Sequence, residues 1–162
     1  MPGQSSGGSL VADNGEHSLT LDQTPGDRTM VGDKARILVV DDDAGMRRSL
    51  AEILTRAGHE AIPAVGGAEA CRICREVKVD LAIVDLFMPD KDGIETIMEL
   101  RALARGMPII AMSGGGADEA RLDLLNAAEL LGAGLSLEKP FSPTQMLEAV
   151  RKALRGGTPG PA

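Results

Sequence analysis

Aromatic residues are almost missing from this chain. They make up 1% of it, with Phe87 and Phe141 as the whole set and neither Trp nor Tyr present. A core must therefore be built from Leu, Ile, Val, Ala and Met, and nucleic-acid binding by base stacking on aromatic platforms is excluded as a main activity. Positive charge is scarce too. Against 24 acids there are 17 Lys and Arg, giving a net charge of −7, and no basic run longer than two residues occurs. Attraction to nucleic acid or to acidic membranes is therefore not expected, and the partners implied are proteins and cations. No apolar stretch reaches the length of a membrane span, and MPGQSSGGSL at the N-terminus has neither the basic start nor the apolar middle of a secretory signal. A cytoplasmic protein is the expectation.

Cysteine is nearly absent as well, with Cys71 and Cys74 in the segment CRIC as the only two. One C-x-x-C without a second ligand pair does not define a zinc or redox site. Ala70, Ile73, Cys74 and Val77 repeat at helical spacing, which predicts Cys74 on a buried face and Cys71 at its edge.

With 162 residues, 43% of them hydrophobic, the chain is long enough for one domain with a core and too short for two full ones. Residues 1–34 are rich in Gly, Ser, Asp and Thr, carry five acids against two bases, and read as a disordered acidic tail. The end, 156–162, reads as a flexible tail, which leaves 35–155 as the domain. Inside it, five apolar runs alternate with helical patterns: RILVV (36–40), HEAIPA (59–64), DLAIV (80–84), MPIIAM (107–112) and GLSLE (134–138). That alternation predicts an α/β fold with a parallel sheet. Met46, Leu50, Ile53, Leu54 and Ala57 mark the face of the first helix, which Gly58 is placed to end. Ser142 and Pro143 form an N-cap and first-turn pair for the last helix, which faces inward through Met146, Leu147, Val150 and Leu154.

The polar residues fall in a pattern that composition does not require. Asp41 and Asp42 follow the first run, Asp85 the third, Ser113 the fourth and Lys139 the fifth. In a parallel sheet these positions share one rim, where ligands of such folds bind. Carboxylates about 4 Å apart repel by roughly 4 kcal/mol at an effective dielectric near 20, so a cluster of three needs a counter-charge. Lys139 supplies part of it, and a hard cation such as Mg²⁺ or Mn²⁺ suits the rest. An ionised Asp85 beside a cation has the character of a nucleophile in phosphoryl transfer, with Lys139 and the Ser113 hydroxyl able to meet the charge of the phosphoryl oxygens. Gly114, Gly115 and Gly116 would allow close approach of backbone. Asp43, Asp90 and Asp92 are assigned to caps and turns, and His17 and His59 have no acid or nucleophile to pair with.

Four segments, ILVVDDD (37–43), DLAIVDLFMPDKDG (80–93), PIIAMSG (108–114) and LEKPF (137–141), are similar to the signature blocks of receiver domains from bacterial two-component response regulators. The resemblance extends over about residues 36 to 155. It implies a flavodoxin-like (βα)₅ fold with strand order 2-1-3-4-5. It further implies Asp85 as phosphoacceptor and Asp42 as a direct metal ligand. Asp41 would be a ligand partly through water, and the Phe87 carbonyl a third protein ligand. Ser113 resembles the switch hydroxyl and Lys139 the phosphoryl-binding lysine, whose bond to Pro140 is commonly cis in such proteins. Pro89 and Gly93 match the tight loop after the acceptor. The partners implied are a sensor histidine kinase or histidine phosphotransfer protein and a downstream protein target.

Two departures stand out. Ser136 occupies the position, three before the lysine, where family members usually carry the aromatic partner of the switch hydroxyl. The segment from Ser113 to Lys139 is several residues longer than usual, with a predicted helix face of Leu124, Ala127, Ala128 and Leu131. Phe87 lies where side chains in this family influence access of water to the phosphoryl, and its apolar ring is expected either to slow self-dephosphorylation or simply to pack on the loop.

Two other readings compete. A binding module that has abandoned phosphorylation would not need the complete acidic set. A hydrolase with an aspartyl-phosphate intermediate would need a second acid two residues after the nucleophile, where this chain has Phe87. The chain is therefore expected to be a phosphoacceptor rather than a turnover enzyme, and, with about seven residues after the last helix, to signal through protein partners or a phosphorelay.

Overall fold

The computed structural model describes residues 34–88, 93–114 and 119–156. The two tails apart from Lys34 and Gly156, together with Pro89, Asp90, Asp92, Gly115 and Gly116, lie outside the described residues. Five strands, β1 (Arg36–Val40), β2 (Glu60–Ala64), β3 (Leu81–Asp85), β4 (Ile109–Ser113) and β5 (Leu135–Glu138), alternate with five helices, α1 (Ala44–Arg56), α2 (Gly67–Glu76), α3 (Gly93–Leu103), α4 (Glu119–Leu131) and α5 (Pro143–Gly156). The strands form one sheet in the order β2-β1-β3-β4-β5, and all four pairings are parallel. Each run predicted from sequence becomes a strand, shifted by one or two residues at some ends. The shift has a consequence at β3 and β4, because Asp85 and Ser113 are the last paired residues of their strands and do not follow them.

Alternation along the strands builds two cores. Leu38, Val40, Ala82, Val84, Ile109 and Ala111 face α2, α3 and α4, while Ile37, Val39, Leu81, Ile83, Ile110 and Met112 face α1 and α5. A parallel sheet covered on both sides has apolar residues in succession rather than in alternation, which is why RILVV and LAIV read as continuous runs. Pro63 fits within β2 because that strand lies at the sheet edge, where a missing N–H costs no ladder bond.

Local chemistry sets the helix ends. Asp43 caps α1, its carboxylate accepting from the N–H groups of Gly45 and Met46 at 2.8 and 3.4 Å. Gly58 follows α1 at φ +92°, a conformation that residues with a side chain adopt only under strain. At α5, Ser142 and Gln145 form a reciprocal capping box: Gln145 N donates to Ser142 Oγ at 3.1 Å and Ser142 N to Gln145 Oε1 at 2.8 Å.

Two sequence expectations about helix faces are corrected. On α2 both cysteines pack against the core, but Cys71 is the fully buried one and Cys74, only partly buried, stands at the edge. α3 packs along the flank of α2 that carries Cys71, whose thiol donates to Glu99 at 3.1 Å. On α4 the inward residues are Leu124, Leu125 and Ala128, and Leu131 is exposed. The face agrees with the expected one at Leu124 and Ala128 and departs from it at Leu131, with Leu125 packed inward as well. Among the described residues no helix is long and apolar enough to cross a membrane.

Candidate phosphoacceptor and cation site

The rim at the carboxyl ends of the strands gathers the predicted polar residues. Val40 pairs with Val84, so Asp41 and Asp85 leave β1 and β3 side by side. Carboxylate oxygens of Asp41, Asp42 and Asp85 all lie within 4.8 Å of one another. Asp41 is fully buried and Asp85 only 5% exposed, while Asp42 is open to solvent. Lys139, just beyond β5, places its ammonium 3.1 Å from Asp41 Oδ2 and 3.5 Å from Asp85 Oδ2. Its backbone N–H donates to the Ser113 carbonyl at 2.7 Å, which ties the lysine to the end of β4. The Lys139–Pro140 peptide bond is cis.

Each carboxylate has a distinct setting. Asp41 Oδ1 accepts from the N–H of Asp43 at 2.9 Å, and its own carbonyl accepts from Arg47 at 2.6 Å. Asp85 Oδ1 accepts from the N–H of Phe87 at 3.1 Å. Burial, the largest influence, pushes the Asp85 carboxyl up to about 6. The neighbouring Asp41 acts in the same direction, and the Phe87 N–H and Lys139 oppose it without prevailing. The nucleophile candidate is therefore held at an unusually basic value.

The donor set suits a hard divalent cation. Oxygens around Mg²⁺ at about 2.1 Å span up to roughly 4.2 Å across an octahedron, so carboxylates within 4.8 Å need only small movements to share one ion. Lys139 approaches Oδ2 of Asp85 while Phe87 N approaches Oδ1, so the two oxygens of this carboxylate are differently engaged.

Ser113 is buried, one residue beyond Met112, which pairs with Asp85. Gly93 opens α3, and its place is fixed by contact. A Cβ there would fall against the Asp85 carbonyl oxygen and the Leu86 Cα, closer than van der Waals contact allows. Its φ is not positive, so the glycine provides room and does not relieve a left-handed turn. Ser136 does not substitute for an aromatic switch partner in this structure. Its hydroxyl donates to Glu129 of α4 at 3.1 Å.

Sequence reasoning missed Arg47 and Arg121. Arg121 lies with its guanidinium carbon 5.3 Å from the Phe87 ring centroid and donates to the Gly114 carbonyl at 2.8 Å. Nothing in the sequence distinguishes these two among the helical arginines.

A doubly wound sheet with strand order 2-1-3-4-5 and an acidic, lysine-bridged site at its carboxyl rim defines a flavodoxin-like α/β domain with a cation-ready acidic pocket. Its relatives narrow this further. The profile of the response regulator receiver domain family matches residues 37–151, and the chain belongs to that family. It is 36% identical over 118 residues to the chemotaxis protein CheY of Thermotoga maritima, covering 72% of this chain and 95% of that protein. It is 31% identical over 119 residues to sporulation initiation phosphotransferase F of Bacillus subtilis, covering 74% and 93%. Among solved structures, chemotaxis protein CheY4 of Vibrio cholerae superposes with a TM-score of 0.67 at 26% identity, covering 74% of this chain and 98% of that one.

Proposed function

We propose that this receiver domain accepts a phosphoryl group on Asp85 from the phosphohistidine of a sensor kinase or histidine phosphotransfer protein, in a reaction that requires Mg²⁺ or Mn²⁺. The observation that carries the reading is the convergence of Asp41, Asp42 and Asp85 with Lys139 bridging two of them. Family membership and similarity to a chemotaxis protein and a sporulation phosphotransferase support it.

The acidic trio and the Phe87 carbonyl would hold the cation, which supplies charge neutralisation at the phosphoryl oxygens. Asp85 attacks phosphorus through a carboxylate oxygen, and the imidazole leaves with the electron pair of the broken P–N bond. Lys139, 3.5 Å from Asp85, would move onto a phosphoryl oxygen, and the Ser113 hydroxyl would donate to another. The acyl phosphate is later hydrolysed slowly, so the domain is a phosphoacceptor and not a turnover enzyme. It acts in the cytoplasm, through a protein target or by passing the phosphoryl along a relay.

The test is incubation with acetyl phosphate and Mg²⁺, then intact mass, for the wild type and Asp85→Ala. A gain of one phosphoryl that needs Mg²⁺ and is lost in the variant is expected. A wild type that stays folded and gains nothing overturns the reading in favour of a phosphorylation-independent binding module.

A further inference from the structure

Through Arg121, α4 reaches the rim that carries Asp85. Its Nη1 donates to the carbonyl of Gly114, directly after Ser113, at 2.8 Å. Its guanidinium carbon stands 5.3 Å from the centroid of the Phe87 ring. Phe87 is two residues beyond Asp85, and its N–H donates to the Asp85 carboxylate. One guanidinium thus joins the segment after β3 to the segment after β4, just beyond the acceptor and the buried hydroxyl that end those strands.

The side chain fits this task by its chemistry. The plane of an arginine can lie over an aromatic face while its edge donates to a carbonyl, whereas a lysine offers one point of charge for both. Phe87 is 40% exposed, so burial alone does not fix its ring. Gly114 belongs to the same contact, since a Cβ on it would lie 3.1 Å from Arg121 Nη1. Ser136 and Glu129 join α4 to β5, so α4 is tied both to the sheet edge and to the acceptor rim.

We infer that Arg121 is a positioning residue that holds the Phe87 ring and the Gly114 backbone beside the acceptor, restricts water there, and so lengthens the life of the acyl phosphate. This rests on Asp85 being the phosphoacceptor. In the step concerned, water attacks phosphorus and the P–O bond to Asp85 breaks. The carboxylate leaves with the electron pair, and the protons of the water remain on the released dihydrogen phosphate. Arg121 touches none of these atoms. Its influence passes through Phe87 and Gly114, which limit the approach of the water.

The experiment loads the full chain with acetyl phosphate and Mg²⁺, removes the donor, and follows the phosphorylated mass over time. Wild type is compared with Arg121→Ala, Arg121→Lys, Phe87→Ala and the Arg121→Ala/Phe87→Ala double variant, with thermal melts confirming folding. Arg121→Ala is expected to lose its phosphoryl about three- to tenfold faster while uptake stays within about twofold, with Arg121→Lys between it and wild type. The double variant is expected to decay no faster than Phe87→Ala. A half-life for Arg121→Ala within about twofold of wild type, or longer, overturns the inference. So does a double variant in which the two effects multiply, or an uptake rate that falls in step with stability. A wild type that takes up no phosphoryl overturns the acceptor assignment instead, and the inference with it.

Discussion

The ammonium of Lys139 lies 3.1 Å from a carboxylate oxygen of Asp41, although 98 residues separate them in the chain. The same ammonium is 3.5 Å from Asp85, so it neutralises part of a buried acidic pair that two other strands bring together. Replacing it with an apolar side chain of similar length leaves those charges uncompensated. Lys139→Met is expected to cost the metal-free protein about 1–3 kcal/mol at neutral pH. The loss should shrink near pH 5, where Asp85 is mostly protonated, and urea melts at the two pH values measure the difference.

Asp85 itself gives a pH dependence whose sign follows from its environment. Its carboxyl titrates near 3.8 in an unfolded chain and at about 6 in the fold. Between those values the folded protein keeps a proton that the unfolded chain has released. Metal-free stability should therefore fall as pH rises through this window and level off above it. Asp85→Asn should flatten the profile. Millimolar Mg²⁺ should raise the melting temperature of the wild type above pH 6, with a much smaller rise in Asp42→Asn or Asp85→Asn. Calorimetry across pH, with and without the ion, checks all three statements.

Gly93 has backbone where a side chain would be. Gly93→Ala pushes against the Asp85 carbonyl and Leu86, groups that cannot rotate away, so a loss of about 3 kcal/mol is expected. Acceptor chemistry should suffer as well, because the displaced backbone belongs to Asp85. Chemical denaturation and acetyl phosphate labelling of the same preparation give both readouts.

The capping box at the start of α5 offers a milder test. Ser142→Ala removes the oxygen that receives the Gln145 N–H and is expected to cost about 1 kcal/mol, whereas Ser142→Thr should retain most of it. Thermal melts of the two variants suffice.

Much of this was legible in the sequence because the fold repeats a local rule. The apolar runs at β1, β3 and β4 are continuous since both sheet faces are covered, and Asp41, Asp42, Asp85 and Lys139 stand at or just beyond strand ends that a parallel sheet must gather on one rim. Asp43 and Ser142 act as caps because their side chains need only their own neighbours.

Tertiary structure decided what depends on orientation between elements. Periodicity could place Cys71 and Cys74 on one side of α2, but only the packing of α3 selected Cys71 for burial. The outward position of Leu131 on α4, whose neighbours Leu124 and Ala128 face the core, has the same origin. Arg121 meets Phe87 and Gly114, and Ser136 meets Glu129, through contacts between side chains and backbone that no spacing rule encodes. The basicity of Asp85 likewise arises from how deeply the strand end is buried and from which charges reach it. Local sequence determines which residues arrive at the rim, since strand ends are set by short-range pattern. How those residues engage one another is a long-range property, fixed only when separate elements pack.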